Sequence, residues 1–240
     1  MSSQNTNSTV GRAIVDAARA EGMTTIFGVP GAQIYPLFDA LYGSGVALLV
    51  PRHEQAAAYM AMGYAKSTGR TGVFTVVPGP GVLNAGAALC TAMGTCAPVV
   101  CLTGQVPSSF LGRGRGHLHE MPDQLATLRS FIKWAERIEY PGQAPALVAR
   151  AFQEMMSGRR GPVALEMPWD VFTQRAAVDP APTLSPFTPP PPDPDRVAAA
   201  AKLIADSKAP MIFVGAGAFD AADDILELAE LIDAPVVAPG

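Results

Sequence analysis

Ala47-Leu48-Leu49-Val50-Pro51-Arg52-His53-Glu54-Gln55 sets a short aliphatic run against a charged tetrad, and the reading of this junction decides the fold. The first four residues are uncharged and aliphatic, as in a buried parallel strand. Pro51 ends the run. From Gln55 to Lys66 almost every residue is Ala, Met, Tyr or Gly, so a helix here is apolar around most of its girth. Such a helix belongs inside a domain or a subunit interface. Glu54 thus stands where a buried strand turns into a buried helix. A carboxylate there is costly unless it is paired, hydrogen-bonded or protonated. It is either a first-turn acid favoured by the helix dipole or an acid tuned to work on a ligand. Position alone does not choose between them.

The same alternation repeats outward. Val10 to Glu21 reads as an amphipathic helix stopped by Gly22. Thr25-Ile26-Phe27-Gly28-Val29 is a strand, which Pro30-Gly31 turns into a helix carrying Ile34, Leu37, Phe38 and Leu41. The Glu54 helix closes at Gly69. Val73 to Val77 is a further strand, Gly79-Pro80-Gly81 a turn, and about Asn84 to Met93 a helix of small residues on which something packs closely. Val99 to Leu102, Ile132 to Ile138 and Val163 to Met167 complete the strands. Asp123 caps a short helix to Ser130, and Ala144 to Met156 forms another. Repeated βα units of this length specify an α/β fold, a mostly parallel sheet with helices on both faces. It is expected over residues 9–175, after a disordered lead-in at 1–8.

A proline-rich connector follows at 176–194, with Pro189 to Pro192 consecutive, and is stiff and extended. Residues 195–240 then begin a second α/β domain with a helix at Val197 to Ala205, a strand at Met211 to Val214 and a helix at Ile225 to Ile232. A last strand opens at Val236. So few residues cannot enclose a core of their own, and the chain is expected to stop inside this domain.

Composition sets the outer bounds. The chain has 240 residues, 49% of them hydrophobic and 16% charged, with a net charge of −4, which leaves no electrostatic footprint for nucleic acid or an anionic membrane. From Thr71 through Gly112 there is no Asp, Glu, Lys or Arg, but prolines and glycines interrupt the stretch too often for a membrane span. Cys90, Cys96 and Cys101 fit no zinc spacing and lie in apolar surroundings, so buried reduced thiols and a cytoplasmic location are expected. Met1 to Thr9 lacks the basic and apolar regions of a signal peptide.

Ligands of open α/β sheets bind at the carboxyl ends of strands. Val29-Pro30-Gly31, Glu54, Pro78-Gly79-Pro80-Gly81 with Asn84, and Gly104-Gln105 all fall there. Each by itself reads first as a plain strand-to-helix turn. There is no GxxxxGK[ST] phosphate loop. Gly215-Ala216-Gly217 follows a strand, but Asp220 stands where the third glycine of a dinucleotide fingerprint belongs.

Taken in order, these residues resemble a family. Arg52-His53-Glu54-Gln55 with Gly63-Tyr64-Ala65 is similar to the catalytic-glutamate motif of thiamine-diphosphate enzymes of the acetolactate synthase group. Gly79-Pro80-Gly81-Val82-Leu83-Asn84 resembles their GPGxxN turn, and Thr103-Gly104-Gln105-Val106-Pro107 and Gly161-Pro162-Val163 through Met167-Pro168 follow in the expected sequence. The resemblance covers about residues 10–240: a pyrimidine-binding domain, then the start of a central domain, where FAD or a nucleotide has a place. It implies a carboligase or lyase working on 2-oxo acids through an ylide and an enamine. Glu54 would hydrogen-bond the N1′ of the aminopyrimidine, with Gln105 on the substrate side. Pro30, Gly31, Val77, Pro80 and Asn84 would line the pyrimidine pocket, Val77 standing where a hydrophilic residue is common. The family completes this pocket with a domain carrying a GDG…Asn motif that holds Mg²⁺ and diphosphate, usually from a partner subunit. No GDG occurs here. A homodimer or homotetramer is implied, and the chain would hold half an active site.

Departures bear on the substrate. Leu118-His119-Glu120 stands where acetolactate synthases often carry Phe-Gln-Glu. The loop from Gly112 to Glu120 reads either as a mobile surface segment or as an anion site built on Arg113 and Arg115, with His53, Leu118 and His119 as further substrate candidates. Lys133-Trp134-Ala135 and Pro168-Trp169-Asp170 are similar to the benzaldehyde lyase type, so a 2-hydroxyacyl-CoA lyase or decarboxylase remains an alternative. Glu54 argues against glyoxylate carboligases, which lack the glutamate. A non-catalytic nucleotide-binding or assembly module is the alternative of another class.

Overall fold

The computed structural model of the protein describes residues 7–185 and 189–238. The chain divides into two compact units, Met1–Thr188 and Pro189–Gly240. In the first, β1 (Asn7–Thr9) leads into α1 (Val10–Ala20), followed by β2 (Thr25–Gly28), α2 (Tyr35–Leu41), β3 (Ala47–Leu49), α3 (Glu54–Thr68) and β4 (Gly72–Val76). Then come α4 (Pro80–Gly94), β5 (Val99–Gln105), α5 (Gln124–Arg129), β6 (Trp134–Arg137), α6 (Ala144–Met156), β7 (Val163–Pro168), α7 (Trp169–Phe172) and β8 (Arg175–Ala177). The second unit holds α8 (Pro194–Ala205), β9 (Ile212–Phe213), α9 (Ala222–Ile232) and β10 (Val236–Val237), with β9 and β10 paired in parallel.

Six strands form one parallel sheet in the order β3-β2-β4-β5-β7-β6. Side chains alternate across it, as the strand period of two requires. Val73, Val100, Leu102, Val163 and Leu165 join α1, α2 and α6 in one core. Phe74, Val76, Val99, Cys101 and Ala164 join α3, α4 and α5 in the other. The expected α/β sheet with helices on both faces is therefore the observed one.

Local signals explain the element ends. Thr9 caps α1 by accepting from the Arg12 amide, and Asp123 caps α5 by accepting from the Ala126 amide at 2.8 Å. Gly69 closes α3 in the left-handed conformation, φ +69°. Gly72 is fixed by packing, because a β-carbon there would overlap the Ala61 carbonyl oxygen of α3. Gly72→Ala is expected to destabilise the protein by about 1–3 kcal/mol through overpacking, read as a lowered urea midpoint with an unchanged m-value.

The structure differs from the sequence reading in three places. The run at 47–50 is not buried: β3 is the sheet edge, and Leu48, Leu49 and Val50 are exposed. Among the described residues this three-residue strand pairs only with β2 and has no neighbour to cover its other side. Only Cys101 is a buried thiol, its pKa pushed far up by burial, whereas Cys90 is exposed and Cys96 half-buried. Asn7–Thr9 and Arg175–Ala177 pair as antiparallel strands, so backbone assigned to a lead-in and a connector is hydrogen-bonded within the first unit. Residues 1–6 of that lead-in, and 186–188 of the connector, lie outside the described residues. Among the described residues no helix is long and apolar enough to cross a membrane.

Candidate active site

All six strands of the sheet point one way, so their carboxyl ends share one edge. From β2 the chain moves outward to β3, and from β4 it moves the opposite way to β5, so the order reverses between β2 and β4. That reversal opens the crevice in which such sheets bind ligands. Val29-Pro30-Gly31 leaves β2 there and Val77 to Gly81 leaves β4.

The two connections touch. The Val77 side chain, 8% exposed, lies against both Gly31 and Gly81. A β-carbon on Gly81 would also stand 3.7 Å from Cγ of Glu54, which places the Glu54 side chain beside this turn. Glu54 opens α3, where the dipole favours an acid. Its Oε2 accepts from Asn84 Nδ2 at 3.0 Å across from α4, and Oε1 has no hydrogen-bond partner among the described residues. Pro30 and Pro80 are exposed at the rim. The structure thus brings together Gly31, Glu54, Val77 and Asn84, with Pro30 and Pro80 on the connections that carry them.

The remaining sequence candidates make bonds of their own or stand exposed. His53 is the N-cap of α3, its Nδ1 accepting from the Gln55 amide at 3.1 Å. Gln105 is 3% exposed, its Nε2 donating to Glu166 at 3.3 Å and its Oε1 accepting from the Val106 amide at 2.7 Å. Those bonds commit most of its amide to the protein. One edge of Gln105 still lines a cavity of about 230 Å³ with Leu111, Met121, Gln124 and Arg137. Arg113 and Arg115 are exposed, and neither guanidinium makes an ion pair among the described residues.

The loop at 112–120 is internally bonded. Glu120 folds it around its carboxylate, Oε1 accepting from the Gly114 amide and Oε2 from the His117 amide, each at 2.9 Å. The His117 amide is the larger cause holding the Glu120 carboxyl below the usual carboxylate range, the Gly114 amide acting in the same direction. Gln33 then docks the loop. Its Nε2 donates to the Leu118 carbonyl at 3.1 Å, so its Oε1 faces His119 Nδ1 at 3.1 Å and that nitrogen carries the proton. Because the Glu120 pKa is depressed in the fold, the order it confers is complete above the ordinary carboxylate pKa, about 4.3. It is lost as pH falls through the lower folded value. Protection of the Gly114 and His117 amides against hydrogen exchange is expected to fall over that acid range, and in Glu120→Gln to be reduced already at neutral pH.

Beneath the crevice lies a polar network that the sequence reading did not single out. Glu166 is fully buried on β7, its Oε1 accepting from Arg137 Nε at 2.5 Å and its Oε2 from Gln124 Nε2 at 2.8 Å. Gln124 also donates to the Gly104 carbonyl at 3.1 Å, and its Oε1 accepts from the Gly79 amide at 2.8 Å. The available signal was Glu166 itself, an acid inside the apolar run from Val163 to Met167. Such a residue needs partners.

The sequence also matches known proteins. The family described as "Thiamine pyrophosphate enzyme, N-terminal TPP binding domain" matches residues 8–127. The chain is 36% identical over 232 residues to a probable acetolactate synthase large subunit of Methanocaldococcus jannaschii, covering 93% of this chain and 39% of that protein. It is 38% identical over 205 residues to the acetolactate synthase isozyme 2 large subunit of Escherichia coli, covering 85% and 36%. It is 34% identical over 235 residues to a probable 2-ketoarginine decarboxylase of Pseudomonas aeruginosa, covering 95% and 41%. The chain spans about two fifths of the length of these relatives. With the turns after β2 and β4, Glu54 and Asn84 assembled at one crevice and half of the sequence matching, the chain belongs to the thiamine pyrophosphate enzyme family through its N-terminal TPP-binding domain.

Proposed function

We propose that this chain supplies the pyrimidine-side half of the thiamine-diphosphate site in a carboligase of acetolactate synthase type acting on 2-oxo acids. The observation that carries the reading is the Glu54 carboxylate, one oxygen fixed by Asn84 and the other without a partner among the described residues, beside a small apolar wall of Gly31, Val77 and Gly81. A flat heteroaromatic ring with one protonatable nitrogen fits such a site: its faces meet apolar surface and its nitrogen meets the free oxygen. Val77 contributes van der Waals contact alone. Asn84 orients the carboxylate, and Glu54 holds or yields the proton at the ring nitrogen. Thiamine diphosphate, when bound, supplies a carbon nucleophile toward a carbonyl and a sink for the electron pair left by decarboxylation. Mg²⁺ and the diphosphate belong, in this reading, to a GDG-bearing domain outside this sequence.

A second reading within the class is a 2-oxo acid decarboxylase, which differs in taking no second carbonyl substrate. The probable 2-ketoarginine decarboxylase among the relatives is the observation behind it. Product analysis separates the two, since condensation yields a hydroxy-oxo acid and simple decarboxylation an aldehyde.

Association follows from the surfaces of α3 and α4. Tyr59, Met60 and Leu83 are exposed on these helices next to Ala87 and Cys90, an apolar face suited to another copy of the chain in a homodimer or homotetramer. Sedimentation is expected to show an oligomer at micromolar concentration and Leu83→Asp to shift it toward monomer. A wild-type monomer would overturn the assignment of that face. Calorimetric titration of thiamine diphosphate with Mg²⁺ tests the cofactor reading. Binding is expected by a longer protein that carries this chain with a GDG domain and not by this chain alone. Binding by neither would remove the cofactor role from Glu54.

A further inference from the structure

Gly79 holds an unusual backbone, φ +61° and ψ −111°, at the start of the turn that opens α4. That region is open in practice only to glycine. Its surroundings exclude a side chain as well, because a β-carbon would lie 2.6 Å from the His119 carbonyl oxygen. What fixes the peptide is the buried Gln124 amide, whose Oε1 accepts the Gly79 N–H at 2.8 Å. The orientation of that amide is not arbitrary. Nε2 must face the Gly104 carbonyl at 3.1 Å and the Glu166 carboxylate at 2.8 Å, which only accept, while the Gly79 N–H only donates. Glu166 is in turn oriented and neutralised by Arg137. On the other side of Gly79, its carbonyl accepts from the Leu83 amide at 3.0 Å in the first turn of α4, one residue before Asn84. Asn84 holds Glu54.

We infer that the half-buried Arg137 and the buried Glu166 and Gln124 form a positioning relay that sets the Gly79 turn and, through Asn84 on α4, the orientation of Glu54. This inference rests on the reading of Glu54 as the acid–base group, but its geometry does not need a cofactor to be present. None of the three residues touches Glu54. Each acts through the next: Arg137 on Glu166, Glu166 on Gln124, Gln124 on Gly79. The relay crosses the sheet from the β6 edge to the β4 end, and through Gln124 it ties α5 to the crevice.

The test is nuclear magnetic resonance of the whole chain without ligand, following the Gly79 amide and the Asn84 side-chain amide. Gln124→Met keeps volume and removes every bond of the relay at that point. Amide exchange at Gly79 is expected to rise about tenfold, the equivalent of one lost hydrogen bond, and the Asn84 side-chain resonances to move toward the values of a solvated amide. Leu128→Ala is the control: Leu128 is fully buried on the same helix, α5, outside the relay, so it lowers stability without moving the Asn84 signals. If Gln124→Met fails to fold, Glu166→Gln reads the same coupling, since it keeps an oxygen for Gln124 and loses the charge. A smaller rise, about threefold, is expected at Gly79. Unchanged Asn84 signals in the folded relay variant, or equal movement in Leu128→Ala, would overturn the inference. Failure of thiamine diphosphate to bind would leave this result standing and remove only the functional reading.

Discussion

Glu54→Gln is expected to slow proton exchange at C2 of thiamine diphosphate by between about 10²- and 10⁴-fold, the usual range for loss of a positioned acid–base group. The measurement belongs in a protein that carries this chain together with a GDG-bearing domain, with cofactor binding followed separately by calorimetry. Binding should be largely retained. The amide keeps the shape of the carboxylate, and Asn84 Nδ2 can still donate to the remaining oxygen, as it now does to Oε2 at 3.0 Å. What the amide cannot do is take and return a proton. A loss of exchange with intact binding therefore isolates proton transfer from ring recognition. Exchange at the wild-type rate in a cofactor-saturated Glu54→Gln protein would end the catalytic reading. Truncation by Glu54→Ala or Glu54→Gly is less informative, because it also removes the side chain that packs beside Gly81.

The contrast between what the sequence disclosed and what it hid follows from the range of each interaction. The strand-and-turn rhythm is local, so α6 was placed at Ala144–Met156 and the capping roles of Asp123 and Gly69 were legible from single residues. The crevice residues were legible as motifs at strand ends, and the structure places Gly31, Glu54, Val77 and Asn84 together. The exposure of 47–50 was not legible, because an aliphatic run looks the same in the middle of a sheet as at its edge. Gln105 was read as facing a substrate, and the sequence did not disclose that its amide also bonds Glu166 and the Val106 amide. Nothing near Gln105 in sequence announces Glu166, which lies 61 residues away. The same distance problem hid Gln33, whose partners Leu118 and His119 sit 85 and 86 residues on.

Arg137→Ala should produce the largest loss of stability, about 2–4 kcal/mol, because it strands a fully buried carboxylate. Glu166 would keep two amide donors, Gln124 at 2.8 Å and Gln105 at 3.3 Å, but no opposite charge. Tryptophan fluorescence in urea reads the change, since both tryptophans, Trp134 and Trp169, lie in the first unit. A cycle with Glu166→Gln makes the test specific. In the wild-type background that substitution removes the ion pair with Arg137 and destabilises. In the Arg137→Ala background it removes an uncompensated charge while leaving an oxygen for Gln124, so it should stabilise. The sign of one substitution is thus expected to reverse with the presence of its partner. Equal effects of Glu166→Gln in both backgrounds would mean that the pair is uncoupled. The reversal would show that the buried acid is tolerated for the bonds it anchors beneath the crevice, and that Arg137 is what makes it tolerable.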